Sequence, residues 1–166
     1  MLFKKFFILI LFILFSFSAS ANTPRSTGKY KNWESFTVQT DKGKICFAQT
    51  IPTKRAPASI KREKSKLFVT FRPSENIKDE VSMTSGHDYK SSTVTASSGK
   101  KRYSFFSQKN FAWLLDDQEE RGFIKTMKRA TNVIVKARTT KGAETTDHYS
   151  MMGFTKAYNT AKKTCS

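Results

Sequence analysis

From Trp33 onward the chain alternates apolar and polar residues mostly with a period of two, the signature of half-buried strands. Trp33-Glu34-Ser35-Phe36-Thr37-Val38-Gln39-Thr40 and Ile45-Cys46-Phe47-Ala48-Gln49-Thr50-Ile51 flank Asp41-Lys42-Gly43-Lys44, which predicts an opening β-hairpin. Residues 67–71 form a strongly apolar strand stopped by Arg72-Pro73. Residues 80–84 and 92–96 read as two strands around a Gly86-His87-Asp88 turn. Ser97-Ser98-Gly99-Lys100 turns the chain into a strand at 102–106, and 111–115 is another apolar strand. Residues 132–140 are β-branched and alternating. Lys141-Gly142 supplies a two-residue turn, and residues 144–149 run back antiparallel.

Twice the period changes to that of a helix. Residues 116–130 open with Asp116 as N-cap and Glu119 three positions on, and carry Phe123, Ile124, Met127 and Ala130 on one face. Acidic residues begin this helix and Lys125, Lys128 and Arg129 close it, matching the helix dipole at both ends. Gly122 weakens it by about 1 kcal/mol relative to alanine, so packing must hold it. Ser150 is placed as the cap of a second helix whose stripe is Phe154, Ala157, Tyr158, Ala161 and Cys165, with Lys156, Lys162 and Lys163 on the other side. The pattern predicts one α+β domain over residues 33–166. Its body is mainly antiparallel β, a sandwich or partly closed barrel, with two covering helices.

The ends and one interior stretch break the alternation. In residues 1–21, Lys4 and Lys5 precede an apolar run at 6–17 and the small-x-small site Ala19-Ser20-Ala21, the order of a cleaved export signal. The run is shorter than the roughly 20 residues of a spanning helix, which sets the anchor reading behind the signal reading. Nothing in the mature chain from Asn22 is long and apolar enough for a transmembrane segment. Residues 22–32 are polar, with Pro24 and Gly28, and read as a flexible leader. Residues 52–66 hold Pro52, Pro57 and the cations Lys54, Arg55, Lys61, Arg62, Lys64 and Lys66 against Glu63 alone. They read as a long exposed basic connection.

Charge sharpens that reading. The formal net charge is +17, of which Lys4 and Lys5 supply two. So strong a positive balance implies an anionic environment or partner, with a solvated basic surface kept for solubility as the alternative. The six cations from Lys54 to Lys66 are the candidate anion-binding residues, and the candidate partner is an anionic envelope component, lipopolysaccharide or a membrane surface. Aromatics stand beside cations at Phe71-Arg72, Arg102-Tyr103 and Phe105-Phe106. Such interleaving can bind single-stranded nucleic acid. Core packing explains it as well, and the export signal argues against nucleic acid.

Catalytic chemistry is sparse. The two cysteines, Cys46 and Cys165, are expected to pair in an oxidising compartment; two buried free thiols are the alternative, and a catalytic cysteine comes third. Asp147-His148 hints at a hydrolytic pair, but neighbours in a strand point to opposite faces, and no Gly-x-Ser-x-Gly elbow exists. His87, in a turn, is expected at the surface. Two histidines and two cysteines are too few for a zinc site, and no cofactor or metal is expected. The acidic cluster 116–120 is explained by capping.

The ordered motifs resemble the invasion-associated locus B family of exported Gram-negative bacterial proteins. They are Trp33 with its strand; Gly43-Lys44-Ile45-Cys46; Leu67-Phe68-Val69-Thr70-Phe71-Arg72-Pro73; the 76–82 segment; Ala112-Trp113-Leu114; Thr145-Thr146-Asp147-His148-Tyr149-Ser150; Gly153-Phe154; and the terminal Cys165. The resemblance spans nearly all of the mature chain. It implies a periplasmic or outer-membrane-associated protein and offers no catalytic residues. The leading expectation is a non-enzymatic envelope protein that binds an anionic component. A host-interaction factor at the outer membrane is the second, and a small hydrolase the third.

Overall fold

The computed structural model describes residues 22–166. The export signal expected at residues 1–21 lies outside them. The chain forms β1 (Arg25–Tyr30), β2 (Trp33–Thr40), β3 (Gly43–Thr50), β4 (Lys54–Ala56), β5 (Lys66–Arg72), a 3-10 turn (Pro73–Glu75) and β6 (Ile77–Thr84). Then come β7 (Val94–Ser98), β8 (Lys101–Gln108), β9 (Phe111–Trp113), α1 (Asp117–Met127), β10 (Asn132–Arg138), β11 (Glu144–Ser150) and α2 (Phe154–Thr164). All eleven strands join one antiparallel sheet in the order β1-β2-β3-β5-β6-β9-β8-β7-β10-β11-β4. It is the expected α+β fold with two helices, and the sheet does not close into a barrel.

The sheet bends at β8. The first part of β8 pairs with β7 (Val94 opposite Phe105), and its last residues pair with β9 (Phe106 opposite Trp113). One face of the bent sheet gathers the core, with Trp33, Leu67, Val69, Val81, Met83, Val133 and Val135 among its fully buried side chains. Helix α2 covers that face beneath β1, β2, β3 and β5. Phe154 packs 4.7 Å from the Trp33 ring, and Tyr158 meets Phe71 edge-on at 5.5 Å. The Trp33 indole donates to the Ser150 carbonyl at 2.9 Å, bringing the end of β11 over the start of β2.

Helix α1 is capped by Asp116, whose Oδ1 accepts from the N–H groups of Gln118 and Glu119. Its Phe123 meets Phe105 edge-on at 5.7 Å. The helix also buries Glu120, which nothing in the periodicity marks. Strand β9 pairs with β6 only at Ser82 and Met83, so the Val81 N–H needs another acceptor. Glu120 Oε1 supplies it at 3.0 Å. Burial pushes the Glu120 carboxyl up to about 7, against a lowering from the Val81 bond.

Several expectations are corrected. Residues 25–30 of the expected leader form β1, hydrogen-bonded along β2 with a register shift between Ser26 and Gly28. The strands near 80–84 and 92–96 do not pair with each other: β6 lies between β5 and β9, and β7 between β8 and β10. The connection from β10 to β11 spans residues 139–143 rather than two, because Arg138 and Glu144 are the last paired residues. Ser150 ends β11, and the α2 cap is Gly153, at φ 96°. A Cβ there would overlap the Tyr30 carbonyl oxygen, so only glycine lets α2 begin against β1.

Cys46 and Cys165 form the expected disulfide, with Cα atoms 5.8 Å apart and a sequence separation of 119. It fixes the end of α2 to β3. In the chain-entropy account a loop of that order is worth about 4.7 kcal/mol, of which measured bridges typically deliver 2–4 kcal/mol. Replacing both cysteines by serine should lower the melting temperature and expose residues 154–166 to limited proteolysis first; an unchanged melt and digestion pattern would refute this role. Glu120 gives a signed pH effect. Its folded carboxyl holds its proton to about 7, whereas the ordinary value is 4.5. Stability from this group is therefore complete below pH 4.5 and lost as pH rises through 7. Glu120→Gln should gain in melting temperature relative to the parent between pH 5 and pH 8, whereas parallel curves would show that the carboxyl does not titrate in this window.

Candidate functional site

Strands β3 and β5 are adjacent and antiparallel, with Thr50 opposite Leu67. A short turn could have joined them. Instead residues 51–65 leave the end of β3, cross to the β4 edge of the sheet and return to β5. In the crossing, β4 pairs antiparallel with β11, Lys54 opposite His148 and Ala56 opposite Thr146. The expected basic connection is thus a strap that carries one short strand of its own.

Arg62 anchors the strap. Its side chain is 2 % exposed and that of Asp147 1 %. The guanidinium donates twice to the carboxylate, Nη2 to Oδ1 at 2.6 Å and Nη1 to Oδ2 at 2.8 Å. It also donates to Ser65 Oγ and to the Ser85 and Ala56 carbonyls. A buried ion pair persists only where its remaining hydrogen-bonding groups are met, and here the planar fork meets both carboxylate oxygens at once. Arg55 stands behind it, Nε 3.8 Å from Asp147 Oδ1, with Nη2 donating to the Glu63 carbonyl. Glu63 and Gly86 are joined through the Glu63 N–H and the Gly86 carbonyl at 3.0 Å. Gly86 has φ 73°, and a Cβ on it would overlap the strap backbone, so the approach requires glycine.

The six expected anion-binding cations therefore separate. Arg62 is corrected: it is consumed by Asp147 and is not available to a ligand. Arg55 is partly engaged, with a third of its side chain exposed. Lys54, Lys61 and Lys64 are exposed, and among the described residues no carboxylate lies within ion-pair distance of them. Lys66 is half-buried, its Nζ 5.9 Å from the centre of the Phe68 ring. Arg55, Lys64 and Lys66 share a depression of about 320 Å³ with Gln49, Ile51, Pro52 and Ser65.

Around Asp147 the interior is polar but closed. Tyr89 donates to Ser85 Oγ at 3.0 Å, and burial pushes its hydroxyl up to about 12. Burial likewise holds the Tyr149 hydroxyl well above its ordinary range, and this hydroxyl has no hydrogen-bond partner. Asp147 faces inward while His148 faces outward, as alternation along β11 requires, and both Asp147 oxygens belong to Arg62. The two do not form an acid–base pair. His87 is not simply a surface residue: Nε2 lies 2.9 Å from Thr145 Oγ1 and the ring meets Tyr89 edge-on at 5.2 Å. Among the described residues no group of three or more His, Cys, Asp or Glu could hold a metal ion.

The aromatics beside cations divide between the core and the surface. Phe71 and Phe105 are buried as expected, but Phe106 and Phe111 are 48 % and 44 % exposed. Along each strand alternation sends one aromatic inward and its neighbour outward. The outer face of β2, β3, β5, β9 and β8 thus carries Phe36, Phe47, Phe68, Trp113 and Phe106. Phe47, Phe68, Phe111 and Trp113 line an open groove of about 500 Å³.

Cutting the anchor should be severe. Asp147→Asn leaves Arg62 buried without its counter-charge, a change that ordinarily costs 3–5 kcal/mol. Denaturant unfolding should show a loss in that range. Arg62→Met with Asp147→Leu, which removes both charges, should recover most of it; a single variant as stable as the parent would show that the strap is not held by this pair. Known proteins offer no guide to the site: no family model, curated protein or solved structure matches this chain.

Proposed function

We propose that the chain is an exported, envelope-associated binding protein of the invasion-associated locus B type, one that engages an anionic envelope component through the strap and performs no chemistry on it. The single observation that carries the reading is the contrast within one segment. Arg62 is buried and neutralised by Asp147, while Lys54, Lys61 and Lys64 are exposed and unpaired. Burying one cation to hold the backbone keeps its neighbours displayed from a fixed base. Unpaired lysines so held meet an anionic surface without first losing a partner. The sign of the whole molecule agrees, with 30 Lys and Arg against 13 Asp and Glu. The export signal read in residues 1–21 and the ordered motifs of the resemblance supply the compartment.

Anionic vesicles test the reading directly. Each lysine near an anionic bilayer contributes about 1 kcal/mol, and exposed charges are screened over about 8 Å at physiological salt. The triple variant Lys54→Gln, Lys61→Gln, Lys64→Gln should therefore co-sediment about a hundredfold more weakly with phosphatidylglycerol vesicles, and raised salt should weaken the parent likewise. Binding indifferent to both changes, or absent in low salt, would leave the strap as a solubility device.

A further inference from the structure

The outer groove is not an isolated apolar patch; it adjoins the strap's cationic depression, with Lys66 Nζ 5.9 Å from the centre of the Phe68 ring. On β5, Lys66, Phe68 and Thr70 share the outer face, and on β3, Phe47 and Gln49 do. Gln49 stands opposite Phe68 in register, so the depression that holds Lys66 and Gln49 and the groove that holds Phe47 and Phe68 lie end to end. At the far end the charge reverses. Arg72 is spent on Glu80, with bonds of 3.1 and 2.7 Å, and on Glu75 at 3.2 Å, one cation between two carboxylates. The trough thus runs from a positive mouth over aromatic walls to a slightly negative end.

We propose that this trough binds one anionic amphiphile at a time, its phosphate or carboxylate at Lys64 and Lys66 and its single acyl chain along Phe68, Phe111 and Trp113. Ring geometry separates this occupant from a stacked base or sugar. Phe47 meets Phe68 at 66° and Phe106 meets Trp113 at 63°, so ring edges block faces that a planar ligand would need. Within the aromatic section the remaining polar groups are the Thr70 and Ser82 hydroxyls and the Trp113 indole N–H, since Arg72 and Glu80 are paired with each other. A sugar would leave most of its hydroxyls unmet there, and an acyl chain would leave none. Charge sets the direction: the cationic mouth takes the headgroup and the acidic end repels it. The volume is that of a small-molecule site. The headgroup half rests on the anionic-partner reading above, while the chain half does not.

Trp113 reports on the groove and Trp33, fully buried, does not. Dodecyl phosphate, titrated below its micelle-forming concentration, should change the Trp113 emission with one molecule per chain. It should bind at least tenfold more tightly than ethyl phosphate, which has the same headgroup and almost no chain. Phe68→Ser and the more exposed Phe111→Ser, each checked by its melting temperature, should weaken dodecyl phosphate at least tenfold yet leave co-sedimentation with phosphatidylglycerol vesicles unchanged. Lys66→Gln should weaken dodecyl phosphate but not dodecyl maltoside, whose head is uncharged. Equal affinity for the two phosphates, or serine variants that bind as the parent does, would overturn the chain half. Dodecyl maltoside binding as tightly as dodecyl phosphate would overturn the headgroup half. A dimer that Phe111→Ser dissociates in light scattering would assign the groove to a second copy and overturn the whole. Lys54→Gln with Lys61→Gln, which leaves both headgroup lysines in place, should weaken co-sedimentation with the vesicles but not dodecyl phosphate, so the two proposals fail separately.

Discussion

The bidentate bond between Arg62 and Asp147 is the constraint on which the far end of the fold depends. Without it, residues 51–65 are an excursion with little to hold them, since β4 is three residues long and pairs on one side. With it, the strap is fastened to β11 and, through the Ser85 carbonyl, to the chain leaving β6. One guanidinium collects three segments that are far apart in sequence. The desolvation of two charges is offset because nearly every donor of the fork finds an acceptor. An apolar pair could fill the same volume, but it could not demand that the Ala56 and Ser85 carbonyls and the Ser65 hydroxyl all converge on one point.

The disulfide does the equivalent work at the other end. It joins α2 to β3 across 119 residues, and the Trp33 indole with its bond to Ser150 sits between the two clamps. An eleven-residue helix is marginal alone and takes its stability from docking. Its Phe154 and Tyr158 supply the apolar part of that docking, and Cys165 prevents the last turn from fraying. The open sheet is therefore held by one covalent and one ionic tie, each closing a path that backbone pairing leaves open.

What could be read from the residues divides along the range of the interaction. The opening hairpin, the Asp116 cap and the alternation of β10 and β11 rest on neighbours in sequence and were legible. The disulfide was legible because two cysteines leave only one pairing once oxidation is expected. Strand order was not: β6 and β7 are consecutive, yet each finds its partners elsewhere, and nothing local encodes that. The strand β1 was hidden because its polar composition lacks an apolar rhythm; its backbone bonds to β2 and the contact of Tyr30 with Thr160 on α2 fix it instead. Arg62 looked like its neighbours because a charge run displays sign but not partner, and the partner lies 85 residues on. Glu120 was masked by the acidic first turn, where a carboxylate is already explained by the helix dipole.

The aromatic face shows why alternation alone underdetermines function. A strand with phenylalanine on both parities, such as Leu67-Phe68-Val69-Thr70-Phe71, satisfies a core on one side whatever lies on the other. The helices decide which side is the core: α2 takes the face of Val69 and Phe71, and neither helix crosses to the face of Phe68. The outward rings are then packed laterally, Phe36 on Phe47, Phe47 on Phe68, Phe106 on Trp113, which hides part of each from water but leaves the trough open. Threonine and lysine stand on the same face of the same strand at Thr70 and Lys66, so the sheet does not require a ring at every outward position. Half-buried aromatics beside a cationic mouth thus add nothing to the core on the other face, and the area they leave open is available to a contact from outside.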